Sequence, residues 1–145
     1  MISFDIFDTL IFRPFEKPTD LFHMVGAELD YLDFARLRAE AEAMARKRNY
    51  QEAKTYEVTL EKIWDVIEED VGIPKDTGMP VEIAAELNDC FGNPYMLEVF
   101  EELRKGMQEK ASGTGGSASE AEAPDATVII CTSDMYLPSD VLRKC

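Results

Sequence analysis

The sequence is poor in the residues that bind metals or form disulfide frameworks. Its 145 residues include one histidine and three cysteines. Cys90, Cys131 and Cys145 are widely spaced and form no CxxC pair. Neither a structural zinc site nor a disulfide-linked fold is therefore expected. Cys131 lies in an apolar run, and we interpret it as a small buried hydrophobic residue.

Basic side chains and long apolar runs are also scarce. Fifteen Lys and Arg against 29 Asp and Glu give a formal charge of −14, which argues against a nucleic-acid ligand and an anionic membrane surface. No apolar run approaches the roughly 20 residues that a membrane-spanning helix needs. The first apolar stretch contains Asp5 and Asp8 and follows no basic segment, unlike a signal peptide. The sequence therefore predicts a cytoplasmic protein.

The chain does contain enough apolar side chain for a core, since 46% of its residues are hydrophobic. Two short segments, Ile2–Phe7 and Thr127–Cys131, have the β-branched and apolar composition of buried strands. The long segment between them suits the crossover that parallel strands require. We therefore predict that the two strands lie side by side and parallel.

Helical periodicity dominates the chain between these strands. The pattern predicts about five amphipathic helices, among them one over residues 59–71 that ends at Gly72. One further helix is predicted to begin after Pro80, and the last is predicted to stop at Gly106. Residues 106–126 are rich in Gly, Ser, Ala and Glu, the composition of a flexible linker or insertion.

The predicted fold class is α/β, with parallel strands in a core formed by residues 1–16 and 127–145. Residues 17–105 are predicted to form a separate all-helical domain, which the linker over residues 106–126 joins to the core. Two buried strands do not form a stable sheet alone. We therefore expect further strands from beyond Cys145 or from another chain.

Polar side chains follow both predicted strands. The groups that end the strands are Asp5, Asp8 and Thr9 for the first, and Thr132, Ser133 and Asp134 for the second. Ligands of open parallel sheets bind beyond the carboxyl ends of the strands, so these groups can meet at one site. There a carboxylate can serve as nucleophile or metal ligand, and a hydroxyl can bind a phosphoryl oxygen. The alternative is that both segments are ordinary polar transitions from strand to loop.

The two segments resemble the first two motifs of the haloacid dehalogenase superfamily. Ser3–Leu10 is similar to the first motif, with an apolar strand, an aspartate and then a threonine. Ile129–Asp134 is similar to the second, an apolar strand that ends in Ser or Thr. The helical segment between them is similar to the cap that many members insert at this point. Residues 7–22, 57–60 and 133–138 also resemble a branch whose domains often accompany bacterial glycosyltransferases.

The resemblance implies a partial Rossmann-like core with an inserted helical cap, acting as a phosphatase of a small phosphorylated metabolite or sugar. Asp5 would be the nucleophile that forms an aspartyl-phosphate, and it would bind Mg²⁺ together with the backbone carbonyl of Phe7. Ser133, or Thr132 by a shift of one residue, would bind a phosphoryl oxygen. Thr9 would steady the turn after the strand. A glycosyltransferase is the macromolecular partner that the branch suggests.

Departures from the family pattern leave alternatives open. Phe7 replaces the family's second aspartate, the general acid and base, and the neighbouring Asp8 either takes that role or only caps the turn. An aromatic residue here also occurs in true haloacid dehalogenases, so a carbon-centred hydrolase is one alternative. The family's later lysine and acidic pair have no counterpart before Cys145, so a non-catalytic binding module is another. Arg13 either faces a phosphate or forms a salt bridge.

Overall fold

The computed structural model describes residues 1–112 and 128–144, and their fold is mixed α/β, as predicted. The elements in these residues are β1 (Ile2–Asp5), β2 (Ile11–Phe12), α1 (Leu21–Glu28), α2 (Phe34–Ala53), α3 (Leu60–Val71), α4 (Lys75–Asp89), β3 (Phe91–Gly92), α5 (Pro94–Ser112), β4 (Ile129–Thr132) and α6 (Ser139–Leu142). A short 3₁₀ turn, Pro18–Asp20, precedes α1.

Contacts between residues divide the chain into two compact units. The strand unit comprises Met1–Phe12 and Phe91–Asp134, and the helical unit comprises Arg13–Cys90 and Met135–Cys145. The larger segment of the helical unit therefore lies, along the chain, between the two segments of the strand unit.

The central pairing of the strand unit joins β1 to β4 in parallel, which confirms the prediction for these strands. Ile2 lies opposite Ile129, and Asp5 lies opposite Thr132. The backbone hydrogen bonding continues past the end of β1, where the Ile6 N–H donates to the Thr132 carbonyl at 3.0 Å. β1 ends at Asp5, two residues before its predicted end, because the chain turns sharply after Ile6, whereas β4 ends at Thr132, one residue beyond its predicted end.

One face of this strand pair packs against α5. The Phe4 side chain is buried, and its ring meets that of Phe100 edge to face with the ring centroids 5.5 Å apart. The prediction that Cys131 is buried is wrong, because its side chain is exposed. β4 has a single neighbouring strand among the described residues, so the sheet covers little of its surface.

The strand unit contains a second pairing that the sequence did not predict. β2 and β3 are antiparallel, with Ile11 opposite Gly92 and Phe12 opposite Phe91. The two phenylalanine rings pack with their centroids 5.9 Å apart. Strands of two residues are too short to show an alternating pattern.

The helical unit is built around α3, whose periodicity was correctly predicted. Four of its apolar positions are fully buried, with 0% of Leu60, Ile63, Trp64 and Ile67 exposed to solvent. The helix ends where Gly72 adopts the left-handed conformation, with φ of 79°, a conformation that glycine adopts without steric cost.

The following helix, α4, begins earlier than predicted and passes through Pro80. The proline removes one backbone donor and crowds the preceding turn, which usually breaks a helix. Here that turn is packed, because Gly78 is buried against the ring of Trp64. The proline predicts that the helix begins after it. The packing of the preceding turn explains why the helix begins before it instead.

α5 also differs from its prediction, because it continues through Gly106 to Ser112. A glycine inside a helix costs about 0.5–1 kcal/mol relative to alanine, which is too little to end a helix of this length. The helix therefore covers the first residues of the predicted linker, and residues 113–127 lie outside the described part of the chain. None of the described helices is both long enough and apolar enough to cross a lipid bilayer.

The contact between Gly78 and Trp64 generates a test of the helical unit. A Cβ atom added at Gly78 would overlap the Trp64 ring, and overpacking of this kind costs about 1–3 kcal/mol. We expect Gly78→Ala to lower the free energy of unfolding by that amount in urea denaturation. Thr77→Ala, on the exposed side of the same helix, is the control and should be neutral or slightly stabilising. Equal stability of the two variants would contradict the packing described.

Candidate active site at the ends of two parallel strands

The candidate site lies in the strand unit, where β1 and β4 both end. Parallel pairing brings the carboxyl ends of the two strands together, and the register sets Asp5 opposite Thr132. Ser133 follows directly in the chain, and the side chain of Asp134 is exposed one residue further on. Two segments separated by more than 120 residues therefore meet with their predicted polar groups at one edge.

A tight turn follows β1 and carries the remaining predicted residues. The N–H groups of Leu10 and Ile11 both donate to the Ile6 carbonyl, at 2.9 and 3.0 Å. The Asp8 N–H donates to the Ile11 carbonyl at 2.8 Å. Asp8 itself has φ of 58°, the left-handed region that aspartate and asparagine tolerate better than most residues. Its side chain is exposed at the tip of the turn.

The side chain of Thr9 reaches back from this turn to Asp5. Its hydroxyl donates to the Asp5 Oδ2 atom at 3.5 Å, at the long end of the hydrogen-bond range. Asp5 is exposed to solvent at the end of β1. The contact links the turn to the carboxylate that the sequence singles out.

The Thr132 hydroxyl is turned towards β1. It donates to the Phe4 carbonyl at 3.3 Å and lies 3.3 Å from the Ser3 hydroxyl oxygen. A hydroxyl has one proton, and the Thr132 hydroxyl donates it to the neighbouring strand. The Thr132 hydroxyl is therefore engaged with β1.

The side chain of Phe7 is directed into the protein. It is 6% exposed, so an apolar ring occupies the position at which the resembled family has its second aspartate. The nearest alternative carboxylate in the sequence is that of Asp8. It stands one residue further on, in a different backbone conformation.

The described residues do not form a metal site on their own. No group of three or more His, Cys, Asp or Glu side chains within residues 1–112 and 128–144 is arranged to hold a metal ion. The donors that the family resemblance implies are the Asp5 carboxylate and the Phe7 backbone carbonyl. Mg²⁺ is commonly bound by one or two carboxylates together with phosphate oxygens of a substrate. This donor pair fits that mode of binding and does not fit a permanent metal cage.

Arg13, whose role the sequence left open, forms a salt bridge in the helical unit. Its guanidinium is nearly buried, with Nη1 3.8 Å from the Glu86 Oε1 atom. Nη2 lies 3.7 Å from the Met135 sulfur. The Tyr136 hydroxyl donates to the same Glu86 oxygen at 3.3 Å. Glu86 thus joins the segments that follow the two motif-like regions.

A second buried ion pair adjoins Glu86. Arg38 and Glu82 are both 0% exposed, and the Arg38 Nε atom donates to both carboxylate oxygens at 3.0 and 3.1 Å. The Trp64 Nε1–H donates to the Glu82 Oε2 atom at 2.8 Å. The Arg38 guanidinium also stacks between two rings, with its Cζ atom 4.7 Å from the centroids of Phe22 and Tyr136. The sequence did not predict this network, because glutamate side chains are rarely fully buried.

A spacing signal could have identified the network. Gly78, Glu82 and Glu86 recur every four residues on α4 and are all buried, so they share the inward face of the helix. That face is polar where an amphipathic pattern would be apolar. A helix whose glutamates coincide with its buried face requires cationic partners elsewhere in the fold.

Asn93 is another residue that the sequence analysis did not single out. It lies between β3 and α5, is 9% exposed, and donates through Nδ2 to the Thr9 carbonyl at 2.8 Å. The Asn-Pro pair could have identified this residue, because asparagine prefers N-cap positions and proline prefers the first helical position.

Comparison with known proteins adds no assignment to this geometry. No protein-family model matches the chain, and no curated protein matches its sequence. The resemblance to the haloacid dehalogenase superfamily therefore rests on the residues of the two motif-like segments and on the predicted cap between them.

The buried position of Glu86 generates a prediction about pH. Burial raises the pKa of the Glu86 carboxyl and the neighbouring Glu82 adds to the effect, whereas Arg13, Tyr136 and Arg38 oppose it. The folded protein therefore binds the Glu86 proton more tightly than the unfolded chain does. The stability that protonated Glu86 contributes is present at low pH and is lost as pH rises through the folded-state pKa.

We expect the stability of Glu86→Gln, relative to that of the unsubstituted protein, to increase as pH rises above the ordinary glutamate value of about 4.3. Urea denaturation across this pH range measures the difference, with the exposed Glu16→Gln as control. A difference that stays constant with pH, or falls as pH rises, would contradict the assignment.

Proposed function

We propose that the chain is a hydrolase of the haloacid dehalogenase type that removes phosphate from a small metabolite or sugar phosphate. The observation that supports this proposal is the register of β1 against β4. It brings Asp5 opposite Thr132 and within one residue of Ser133. An exposed carboxylate beside a hydroxyl-bearing strand end supplies the two groups that phosphoryl transfer through a covalent intermediate requires.

Asp5 takes the role of nucleophile in this proposal. Its carboxylate oxygen forms a bond to phosphorus while the bond from phosphorus to the leaving oxygen breaks, which yields an aspartyl-phosphate. Water then attacks phosphorus, releases inorganic phosphate and restores the carboxylate. The Ser133 hydroxyl donates to a phosphoryl oxygen, with Thr132 as the alternative donor by one register. Thr9 keeps the Asp5 carboxylate aligned through its hydrogen bond.

The leaving oxygen needs a proton, and Asp8 is the candidate donor. Its carboxylate is exposed on the turn that follows Asp5. Its left-handed backbone equally suits a residue whose role is to close the turn. Mg²⁺ is the cofactor that the proposal implies. Asp5 and the Phe7 carbonyl would hold it, and it would neutralise negative charge on the phosphoryl group.

The proposal extends to the fold. Residues 1–16 and 127–145 would be part of a Rossmann-like core, and residues 17–105 would be the inserted cap that selects the substrate. The position of Arg13–Cys90 along the chain, between two segments of the strand unit, supports an insertion. The domain boundaries predicted at residues 16 and 105 belong to this proposal, as does a glycosyltransferase partner.

A carbon-centred hydrolase is the second candidate, and the buried Phe7 side chain favours it. Displacement of halide from carbon needs a nucleophilic carboxylate and no acid for the leaving group. The two candidates share Asp5 and differ in their substrates. Phosphate release from p-nitrophenyl phosphate and small sugar phosphates with Mg²⁺ supports the first, and halide release from 2-haloacids without metal supports the second.

Substitution of the two turn aspartates tests the proposed roles. We expect Asp5→Asn to lower the rate of phosphate release by at least about 10³-fold, because an amide cannot form the acyl-phosphate. Asp8→Asn should cost about 10²–10⁴-fold if Asp8 is the general acid. It should cost little if Asp8 closes the turn, because asparagine tolerates the same left-handed backbone.

The matched control for Asp8→Asn is Asp30→Asn, since Asp30 is an exposed aspartate of the helical unit with φ of 53°. It should leave the rate unchanged. Retained turnover in Asp5→Asn would refute the hydrolase assignment, and phosphate release unaffected by EDTA would refute the role of Mg²⁺. Absence of turnover on both substrate classes would favour the binding module.

A further inference from the structure

Asn93 connects the turn after β1 to the first residues of α5. Its Nδ2–H donates to the Thr9 carbonyl and its backbone N–H donates to the Leu10 carbonyl, both at 2.8 Å. Two successive carbonyls of the turn are thus held by one residue that lies more than 80 positions away in the chain. All of these groups belong to the strand unit.

The same residue also caps α5. Its Oδ1 atom accepts a hydrogen bond from the Tyr95 N–H at 3.2 Å, and its backbone carbonyl accepts the Leu97 N–H at 2.9 Å. Pro94, which has no N–H to satisfy, occupies the first helical position. Asparagine suits this position because its amide offers a donor and an acceptor at once. Serine or aspartate would satisfy the helix equally well but would lack the amide donor for the turn.

The turn that Asn93 holds carries two residues of the candidate site. Thr9, whose carbonyl accepts the amide, is the residue whose hydroxyl contacts Asp5. Asp8 precedes it in the left-handed conformation, which a side-chain carboxylate does not by itself enforce. The hydrogen bonds therefore run from Asn93 through the backbone of Thr9 to the carboxylate of Asp5.

We propose that Asn93 is a positioning residue for the candidate site, which fixes the Asp8–Thr9 turn and through Thr9 orients the Asp5 carboxylate. This inference rests on the proposed function for its consequence in catalysis. Its structural part, that the amide donor of Asn93 holds the turn, can be measured without substrate. Capping of α5 needs only the Oδ1 acceptor of Asn93, whereas holding the turn needs its Nδ2–H donor. A substitution that removes the donor and keeps the acceptor therefore separates the two roles.

Asn93→Asp separates them, because it keeps the capping acceptor and removes the donor. The added negative charge also suits a helix N-terminus, so α5 should keep its stability. We expect hydrogen exchange of the Leu10 and Ile11 amides to accelerate about tenfold, the effect of losing one hydrogen bond, while the Leu97 amide retains its protection. NMR spectroscopy measures these rates residue by residue. Asn88→Asp, on the exposed surface of α4, is the control and should change none of them.

Activity provides the second measurement. With a substrate that the protein hydrolyses, Asn93→Asp should lower kcat about tenfold or more with little change in KM, because the reacting carboxylate is misplaced while the substrate still binds. If the unsubstituted protein hydrolyses no phosphate ester, the proposed function fails, and the exchange rates alone decide whether Asn93 holds the turn. The two failures are thus distinguishable.

Unchanged exchange at Leu10 and Ile11 in Asn93→Asp would overturn the inference. So would equal acceleration at Leu10, Ile11 and Leu97, which would assign Asn93 a capping role only. If Asn93→Asp does not fold, Asn93→Ser gives the same test, because a serine hydroxyl caps the helix and is too short to reach the Thr9 carbonyl.

Discussion

The parallel pairing of β1 with β4 is the contact on which the candidate site depends. It joins Asp5 to Thr132, and no hydrogen bond within either segment could bring these residues together. A pair of short strands is at best marginally stable by itself, so the pairing needs support from packing. The edge-to-face contact of Phe4 with Phe100 provides part of that support. The stability of α5 and the geometry of the site are therefore coupled.

The helical unit contains buried charged side chains. Arg38 and Glu82 are fully enclosed, and burying such a pair costs least when its remaining hydrogen-bonding groups are satisfied. The indole N–H of Trp64 donates to Glu82, and Arg38 Nη1 donates to Glu42 at 3.0 Å. Arg38 Nη2 has no hydrogen-bond partner and makes only the ion pair with Glu82, 2.9 Å from its Oε1 atom. Removing one partner of a buried pair typically costs about 3–5 kcal/mol, so the network restricts which side chains α2, α3 and α4 can accept. Specific charge complementarity thus accompanies apolar packing in this unit.

The parts of the fold that could be predicted from the sequence are those in which a local pattern coincides with burial. The apolar spacing of α3 is such a pattern, since its apolar face is buried. The apolar runs of β1 and β4 predicted the strands and their parallel pairing, but among the residues of these two strands only Phe4 is buried. α4 was misplaced because its inward face carries Gly78, Glu82 and Glu86, whose burial depends on partners in other helices. β2 and β3 are too short to produce any pattern. Their pairing is fixed by contacts between distant segments.

In the candidate site, too, the residues at the ends of predicted strands could be identified from the sequence, whereas contacts between distant segments could not. Asp5 and Ser133 could be singled out because both stand at the ends of recognisable strands. The salt bridge of Arg13 and the amide contact of Asn93 join residues more than 70 positions apart. Each of these side chains has several plausible partners in the sequence, and only the folded chain selects one. The exposed position of Cys131 was missed for a related reason, since burial of a strand depends on how many neighbours it has.

The central claim is that Asp5 becomes phosphorylated, and trapping the intermediate tests it most directly. The protein is incubated with a phosphate ester and Mg²⁺, quenched in acid and treated with borohydride, which reduces an acyl-phosphate to the alcohol. Peptide mass spectrometry then locates the altered residue. We expect conversion of the aspartate at position 5 to homoserine, with Asp8 and Asp134 unchanged. Reduction at Asp8 instead, or phosphate release without any trapped aspartyl-phosphate, would contradict the account.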